Sequence, residues 1–248
     1  MSRAVDAARP DVVIHAQALS DVDRCEQEPA LARAMNVEAT ANLVRALEGS
    51  PAWLFHVSTD YVFDGAKGAP YLETDAPRPV SVYGRTKLEA EQAALSRERT
   101  LVVRPSTLYG RGRMNFCDFL LQELSGAGTI EAYTDQTTSP TCTEDMAQGL
   151  LDAIQVIRQT SRISLPGRVM HLANGGACTR LEFAVRVADL LGRGHDRIRA
   201  IRMADQRRPA ARPPYSALAS QAQQQLIGRT LRRWDEALDA YVRPRLRA

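Results

Sequence analysis

Little in the composition of this chain assigns it to a specialised class. Its 32 lysine and arginine residues and 29 aspartate and glutamate residues leave a net charge of only +3, which does not predict nucleic-acid binding. No apolar run approaches the ~18 residues that a membrane span requires, so we predict no membrane association. Hydrophobic residues make up 44% of the 248 positions, enough for one large globular domain or two small ones.

Cysteine is scarce, and its spacing indicates neither a disulfide framework nor a zinc site. The four residues are widely separated and form no Cys-x-x-Cys pair: Cys25, Cys117, Cys142 and Cys178. The first six residues also lack the apolar stretch of a secretory signal. We therefore expect a cytoplasmic protein with reduced thiols and no bound metal.

Short apolar runs alternate with helical patterns through the chain. The runs at 11–16, 53–58, 101–104 and 169–172 predict strands, the first of them buried on both faces. The spacing of apolar residues predicts helices over 29–47, 81–96, 115–124 and 143–157. Thr179 and Glu182 fit a capping box that opens a further helix ending near 191. This alternation predicts an α/β fold with a parallel sheet and helices on both faces.

Tyr83 and Lys87 are four residues apart, which places both side chains on one face of the predicted helix 81–96. A neighbouring ammonium group lowers a tyrosine pKa from its ordinary value of about 10. Such a tyrosine can donate a proton to a carbonyl oxygen as hydride reaches the carbon. The pair alone fits a solvent-exposed helix face equally well.

Thr59 follows the predicted strand 53–58, at the edge of the sheet where ligands of open α/β folds bind. Its hydroxyl could bond the same carbonyl that Tyr83 protonates. The alternative is an ordinary hydroxyl at a strand end that bonds to the backbone.

Two segments around these residues resemble the active-site signature of the dTDP-4-dehydrorhamnose reductases, which are extended short-chain dehydrogenase/reductases. They read Ser-Thr-Asp-Tyr-Val-Phe-Asp-Gly from Ser58 and Ser-Val-Tyr-Gly-Arg-Thr-Lys from Ser81. The resemblance continues at 10–16, 115–116, 135–141 and 208–216, and so covers nearly the whole chain. It implies a Rossmann-like parallel sheet truncated in its N-terminal part, with a smaller C-terminal substrate-binding region.

The same resemblance implies a division of the chain. Residues 1–108 would form the truncated NAD(P)-binding domain, which would also receive roughly 143–173. Residues 109–248 would form the substrate-binding region.

The resemblance also implies roles for individual residues. Tyr83 would donate the proton, Lys87 would lower its pKa and hold the nicotinamide ribose, and Thr59 would orient the substrate carbonyl. The cofactor, NADPH or NADH, would also contact His15, Ala16, Gln17, Ser58 and Asn36, the last supporting Lys87 through water. The nucleotide sugar would contact Asp60, Tyr61, Thr107, Asn115, Gln136, Arg208 and Arg212. One or both of the two arginines would pair with its diphosphate, unless they belong to a solvated basic loop.

The chain departs from the family pattern in two places. The family begins with a strand, a glycine-rich turn and a helix that hold the cofactor pyrophosphate, and nothing before Val12 has this pattern. About fifty residues of the pattern would be lacking, so we expect a truncated or misassigned start and weak NADPH binding by the chain as given. Thr107 stands where the family usually has a tryptophan that stacks on the substrate, and His15 and Gln17 stand where asparagine and alanine are more usual.

The sequence therefore predicts NAD(P)H-dependent reduction of a 4-keto-6-deoxy sugar on a nucleotide diphosphate, with dTDP-4-dehydrorhamnose as the leading substrate. The alternative is a noncatalytic nucleotide-binding subunit similar to the regulatory subunit of methionine adenosyltransferase. The intact Thr59, Tyr83 and Lys87 favour the enzyme, whereas the missing glycine-rich turn favours the subunit. A homodimer is the oligomeric state that we consider for this chain.

Overall fold

The computed structural model describes residues 2–246. Its strands are β1 (Val12–His15), β2 (Trp53–Val57), β3 (Thr100–Arg104), β4 (Leu108–Tyr109), β5 (Ile130–Tyr133), β6 (Thr137–Thr138), β7 (Thr141–Cys142), β8 (Val169–His171), β9 (Cys178–Thr179) and β10 (Ile198–Ile201). Its α-helices are α1 (Ser2–Ala8), α2 (Val22–Gln27), α3 (Pro29–Arg33), α4 (Ala39–Ala46), α5 (Val82–Leu95), α6 (Phe116–Ser125), α7 (Thr143–Thr160), α8 (Arg180–Leu190), α9 (Gln221–Ile227) and α10 (Trp234–Val242). A π-helical segment, Ala34–Glu38, joins α3 to α4.

The main sheet has four parallel strands in the order β1-β2-β3-β8. All five residues of β3 are buried, as expected for a central strand of a parallel sheet. The predicted α/β fold with a parallel sheet is confirmed. Because β8 pairs with β3, residues far apart in the sequence share this sheet; the division of the chain at residue 108 stays a prediction.

Helices cover both faces of the main sheet. On one face α7 and α9 pack against Phe55, Leu101 and Met170. On the other face α4 and α5 pack against Leu54, which points the opposite way from Phe55 because side chains alternate along a strand. None of the helices within 2–246 combines the length and the apolar composition needed to cross a membrane.

A second core lies in the later part of the chain, where α6, α8 and α10 pack on β5. Helix α8 begins with the predicted capping box: the Thr179 side chain accepts from the backbone N–H of Glu182, and the Glu182 carboxylate accepts from that of Thr179. Helix α10 and the parallel pair β5–β10 were not predicted. The four cysteines are all buried free thiols.

Candidate active site

The chain brings Thr59 and Tyr83 together where β2 ends and α5 begins. Thr59 caps a short 3₁₀ helix, Asp60–Val62, by accepting a hydrogen bond from the backbone N–H of Tyr61. Gly84 allows α5 to approach this 3₁₀ helix, because a Cβ atom on Gly84 would lie 2.2 Å from the carbonyl oxygen of Tyr61. The Tyr61 and Tyr83 rings meet edge to face, with centroids 5.9 Å apart.

Burial raises the pKa of the Tyr83 hydroxyl above its ordinary value, and hydrogen bonding to Thr59 opposes this rise. The direction is opposite to the predicted lowering by Lys87, because removal of the phenolate from water outweighs the other influences on the site. Tyr83 is therefore held in its protonated form. That form is the one a proton donor needs.

Lys87 is almost completely buried on α5, and its ammonium group reaches the end of β2. Its ammonium donates a 2.7 Å hydrogen bond to the carbonyl oxygen of Val57, which leaves two further N–H donors. Burial lowers the pKa of Lys87 to about 8, against an opposing effect of the Glu91 carboxylate. Near neutral pH the group is still mostly charged.

This pKa predicts the pH dependence of the reaction. Since Lys87 loses its positive charge above about pH 8, we expect kcat/KM to fall as the pH rises through that value. Lys87→Arg should lose activity at neutral pH but should no longer show this inflection, because a guanidinium stays charged. Because its pKa is lowered in the folded state, the charged Lys87 also lowers the free energy of unfolding below pH 8. This loss is recovered as the pH rises from 8 to the ordinary lysine pKa of about 10.4. If kcat/KM of Lys87→Arg shows the same inflection with pH, the inflection belongs to another titrating group.

A buried ion pair lies beside Lys87. The Arg104 guanidinium donates two hydrogen bonds to the Glu91 carboxylate, at 2.8 and 2.6 Å, and their side chains are 4% and 2% exposed. The Ser58 hydroxyl donates to the same carboxylate at 2.5 Å. Ser58 was predicted to contact the cofactor, and its hydroxyl is used in this bond to a buried carboxylate. The network ties the end of β2 to both α5 and β3.

The residues predicted on the cofactor side divide into exposed and buried groups. Ala16 and Gln17 are exposed just beyond β1, so the carboxyl end of this strand is open to a ligand. His15 is buried, and its Nε2 lies 3.1 Å from the Thr40 hydroxyl. The open strand end and the unused Lys87 donors fit the nicotinamide ribose of a dinucleotide.

Asn36 has partners that differ from the predicted water-mediated contact with Lys87. Its amide oxygen accepts from the backbone N–H of Leu19 at 2.7 Å, and its amide nitrogen donates to the carbonyl of Leu19 and to the Thr86 hydroxyl at 3.0 Å. It lies in the π-helical segment, a local irregularity often found at functional sites. Asn36 thus fixes the loop after β1 against α5, one residue from Lys87.

Asp60, predicted to face the sugar, is 2% exposed. Its carboxylate accepts hydrogen bonds from the hydroxyls of Thr59, Ser106 and Ser216, at 3.1, 2.8 and 2.5 Å. Burial raises its pKa, and these hydroxyls oppose that effect. Asp60 therefore holds Thr59 and the chain around it in place rather than lining the cleft.

A cleft beside Tyr83 contains most of the predicted substrate residues. Tyr61, Gln136, Arg208 and Arg212 line it, and the Gln136 amide donates to the Tyr61 hydroxyl at 3.3 Å. Sequence reasoning missed the remaining lining residues, including Arg180. The signal available was a basic residue directly after the cap of α8, where cations are unfavourable.

The two predicted substrate arginines differ in their partners. Arg212 forms a bidentate pair with Asp23, at 2.9 and 2.7 Å, so its charge is already neutralised. Arg208 donates to the Tyr133 hydroxyl at 2.8 Å, and the nearest Asp23 oxygen is 4.0 Å away. The predicted contact of Arg212 with a diphosphate would require it to share its donors with Asp23.

Two other predicted substrate residues lie on the segment after β3. Asn115 caps α6: its side chain accepts from the backbone N–H of Asp118 and donates to the Gly110 carbonyl. This capping role explains an asparagine at that position without any ligand. Thr107 has φ = 42°, a left-handed conformation that β-branched residues rarely adopt.

Two substitutions at Thr107 separate the effect of an aromatic ring on sugar binding from the effect of backbone strain on stability. Thr107→Trp adds an aromatic platform worth about 0.5–1.5 kcal/mol and should lower KM for the sugar about two- to tenfold. Thr107→Gly adds no surface but relieves the left-handed strain, and should raise the free energy of unfolding by about 1 kcal/mol without lowering KM. Steady-state kinetics and urea unfolding of both variants measure this. A KM that Thr107→Trp leaves unchanged would place the sugar elsewhere.

Comparisons with known proteins agree with this geometry. The family model described as the RmlD substrate binding domain matches residues 1–246. The dTDP-4-dehydrorhamnose reductase of Mycobacterium tuberculosis is 40% identical over 236 residues, which cover 92% of this chain and 75% of the relative. That of Mycolicibacterium smegmatis is 37% identical over 95% of this chain and 71% of the relative.

Solved structures give the same result. A dTDP-4-dehydrorhamnose reductase from Clostridium acetobutylicum superposes with a TM-score of 0.89 and 31% identity, covering all of this chain and 85% of the other. The Bacillus anthracis reductase, solved in complex with NADP, gives a TM-score of 0.87 and 29% identity over 97% of this chain and 83% of the other. The predicted signature residues also lie together at one edge of the main sheet. From the family model and these relatives, the chain belongs to the RmlD substrate binding domain family, that of the dTDP-4-dehydrorhamnose reductases.

Proposed function

We propose that this protein reduces the 4-keto group of a dTDP-4-keto-6-deoxy sugar, converting dTDP-4-dehydrorhamnose to dTDP-rhamnose. The observation that carries the proposal is the meeting of Thr59, Tyr83 and Lys87 at the carboxyl end of β2, beside a cleft that contains arginines. The relatives named as dTDP-4-dehydrorhamnose reductases support it.

Each residue of this group has a chemical task. The raised pKa of Tyr83 keeps its hydroxyl protonated, and Tyr83 donates this proton to the oxygen of the keto group. Thr59, fixed by its contacts with Tyr61 and Asp60, orients that oxygen. The Lys87 ammonium offers its two remaining N–H groups to a ribose and a positive charge to the phenol as the proton leaves. NADPH, when bound, supplies the hydride.

The contacts favour the reductase over a noncatalytic nucleotide-binding subunit. A binding subunit needs neither a buried lysine one helical turn from a half-buried tyrosine nor a hydroxyl fixed next to that tyrosine. Keeping Lys87 charged in the interior costs free energy, which the reaction explains and nucleotide binding alone does not.

The test is a small panel of nucleotide keto sugars, assayed by the loss of NADPH absorbance. With NADPH in large excess, since the chain as given is expected to bind it weakly, we expect turnover with dTDP-4-dehydrorhamnose and weaker turnover with keto sugars on other nucleotides. If the folded protein binds NADPH but oxidises it with no sugar of the panel, the noncatalytic subunit becomes the better explanation.

We further propose that the reaction takes place in the cytoplasm, where four free thiols remain reduced. The homodimer stays a prediction.

A further inference from the structure

Three arginines reach the cleft beside Tyr83, and they differ in how far their charge is already neutralised. Arg212 has the bidentate partner Asp23. Arg208 is held by the Tyr133 hydroxyl, with a carboxylate oxygen at 4.0 Å. Arg180, within the part of the chain that the structure describes, has no carboxylate oxygen within 4.0 Å of its guanidinium.

The position of Arg180 is held by contacts that leave the N–H donors of its side chain free. Its guanidinium lies over the ring of Phe116, 4.6 Å from the ring centroid, and its backbone N–H donates to the carbonyl of Gln136 at 3.2 Å. Stacking on an aromatic ring fixes the plane of the guanidinium while its edge stays free for hydrogen bonds. The lining of the cleft therefore includes a preoriented set of donors.

Two features disfavour a cation at this position. Arg180 is the first residue of α8, where the helix dipole disfavours a cation. The side chain is also half-buried, and burial lowers the pKa of its guanidinium. A cation kept under both disadvantages gains most from an anionic ligand.

We propose that Arg180 is the arginine of this cleft that binds the diphosphate of the nucleotide sugar, in place of Arg212. The inference rests on the proposed function, since the diphosphate belongs to that substrate. A planar fork of N–H donors matches two phosphate oxygens, so Arg180 distinguishes nucleoside diphosphates from unphosphorylated sugars and nucleosides. Gln136, whose carbonyl holds the Arg180 backbone, also bonds Tyr61, and this links the diphosphate subsite to the ring that contacts Tyr83.

Calorimetry on the full 248-residue chain tests this without any turnover, with dTDP and thymidine as the two probes. Arg180→Met keeps a side chain of similar length over Phe116 but removes the charge. We expect it to weaken dTDP binding about tenfold or more, as the loss of a charge-assisted hydrogen bond does, and to leave thymidine binding within about twofold. Arg193→Met is the matched control, because Arg193 is an exposed arginine just beyond the same helix.

The outcomes separate this inference from the proposed function. If Arg180→Met binds dTDP as tightly as the unchanged protein, Arg180 is not the diphosphate ligand, and the proposed function stands. If the unchanged protein binds thymidine and dTDP equally or not at all, both are overturned. A fall in Tm of Arg180→Met, with no fall in Arg193→Met, would make Arg180 a structural residue; we expect its Tm to stay the same or rise. Arg180→Lys, which keeps the charge but not the fork, should bind dTDP with intermediate affinity.

Discussion

Tyr83→Phe is expected to lower kcat by about 10²-fold or more, because the variant keeps the ring but loses the proton that the keto oxygen must receive. Steady-state kinetics with dTDP-4-dehydrorhamnose measures the loss. NADPH binding should be nearly unchanged, because the proposed ribose contact belongs to Lys87.

Tyr215→Phe removes the same atom from a half-buried tyrosine outside the reacting group and should retain turnover. If Tyr83→Phe keeps more than about a third of the normal kcat, Tyr83 is not the proton donor. Thr59 or an ordered water would then have to take that role.

Glu91→Ala is expected to lower the free energy of unfolding by about 3–5 kcal/mol, the usual cost of leaving one member of a buried ion pair without its partner. Arg104 would stay buried with a full charge, and the Ser58 hydroxyl would lose its acceptor. Urea unfolding of the variant measures the effect. Asp11→Ala, which breaks an exposed contact with Arg158 at 3.9 Å, should change stability by less than about 0.5 kcal/mol.

The double variant Glu91→Leu with Arg104→Met separates the pair from its members. Replacing both charges by apolar groups should cost much less than Glu91→Ala, because no unpaired charge remains. Equal losses in the single and double variants would show that packing, and not the buried charge, sets the cost.

The sequence predicted the parallel sheet because strands buried on both faces leave a continuous apolar run, as in the segment that became β3. It did not predict β4, β6, β7 and β9, since each has only two residues and no periodicity can show in so short a segment. The π-helical segment inside the predicted helix 29–47 was equally invisible, because its extra residue per turn does not change the residue types.

The site was predicted where its residue types are unusual and was missed where the role depends on a distant partner. The Tyr83–Lys87 spacing and the hydroxyl of Thr59 are local patterns. By contrast, Asp60 meets Ser216 from 156 positions away, and Asp23 meets Arg212 from 189 positions away. No local pattern shows that a carboxylate will be enclosed by hydroxyls, or that an arginine will already be paired.

The pairing of β8 with β3 has a consequence for any attempt to divide this protein. A polypeptide that stops at residue 108 would lose β8 together with α7 and α9, and Phe55 and Leu101 would then face water. Such a fragment would aggregate rather than fold, because an apolar sheet face and an open strand edge would both be exposed. The two halves of the sequence should thus unfold in one transition, and their amide protons should be protected from exchange to a similar degree along β3 and β8.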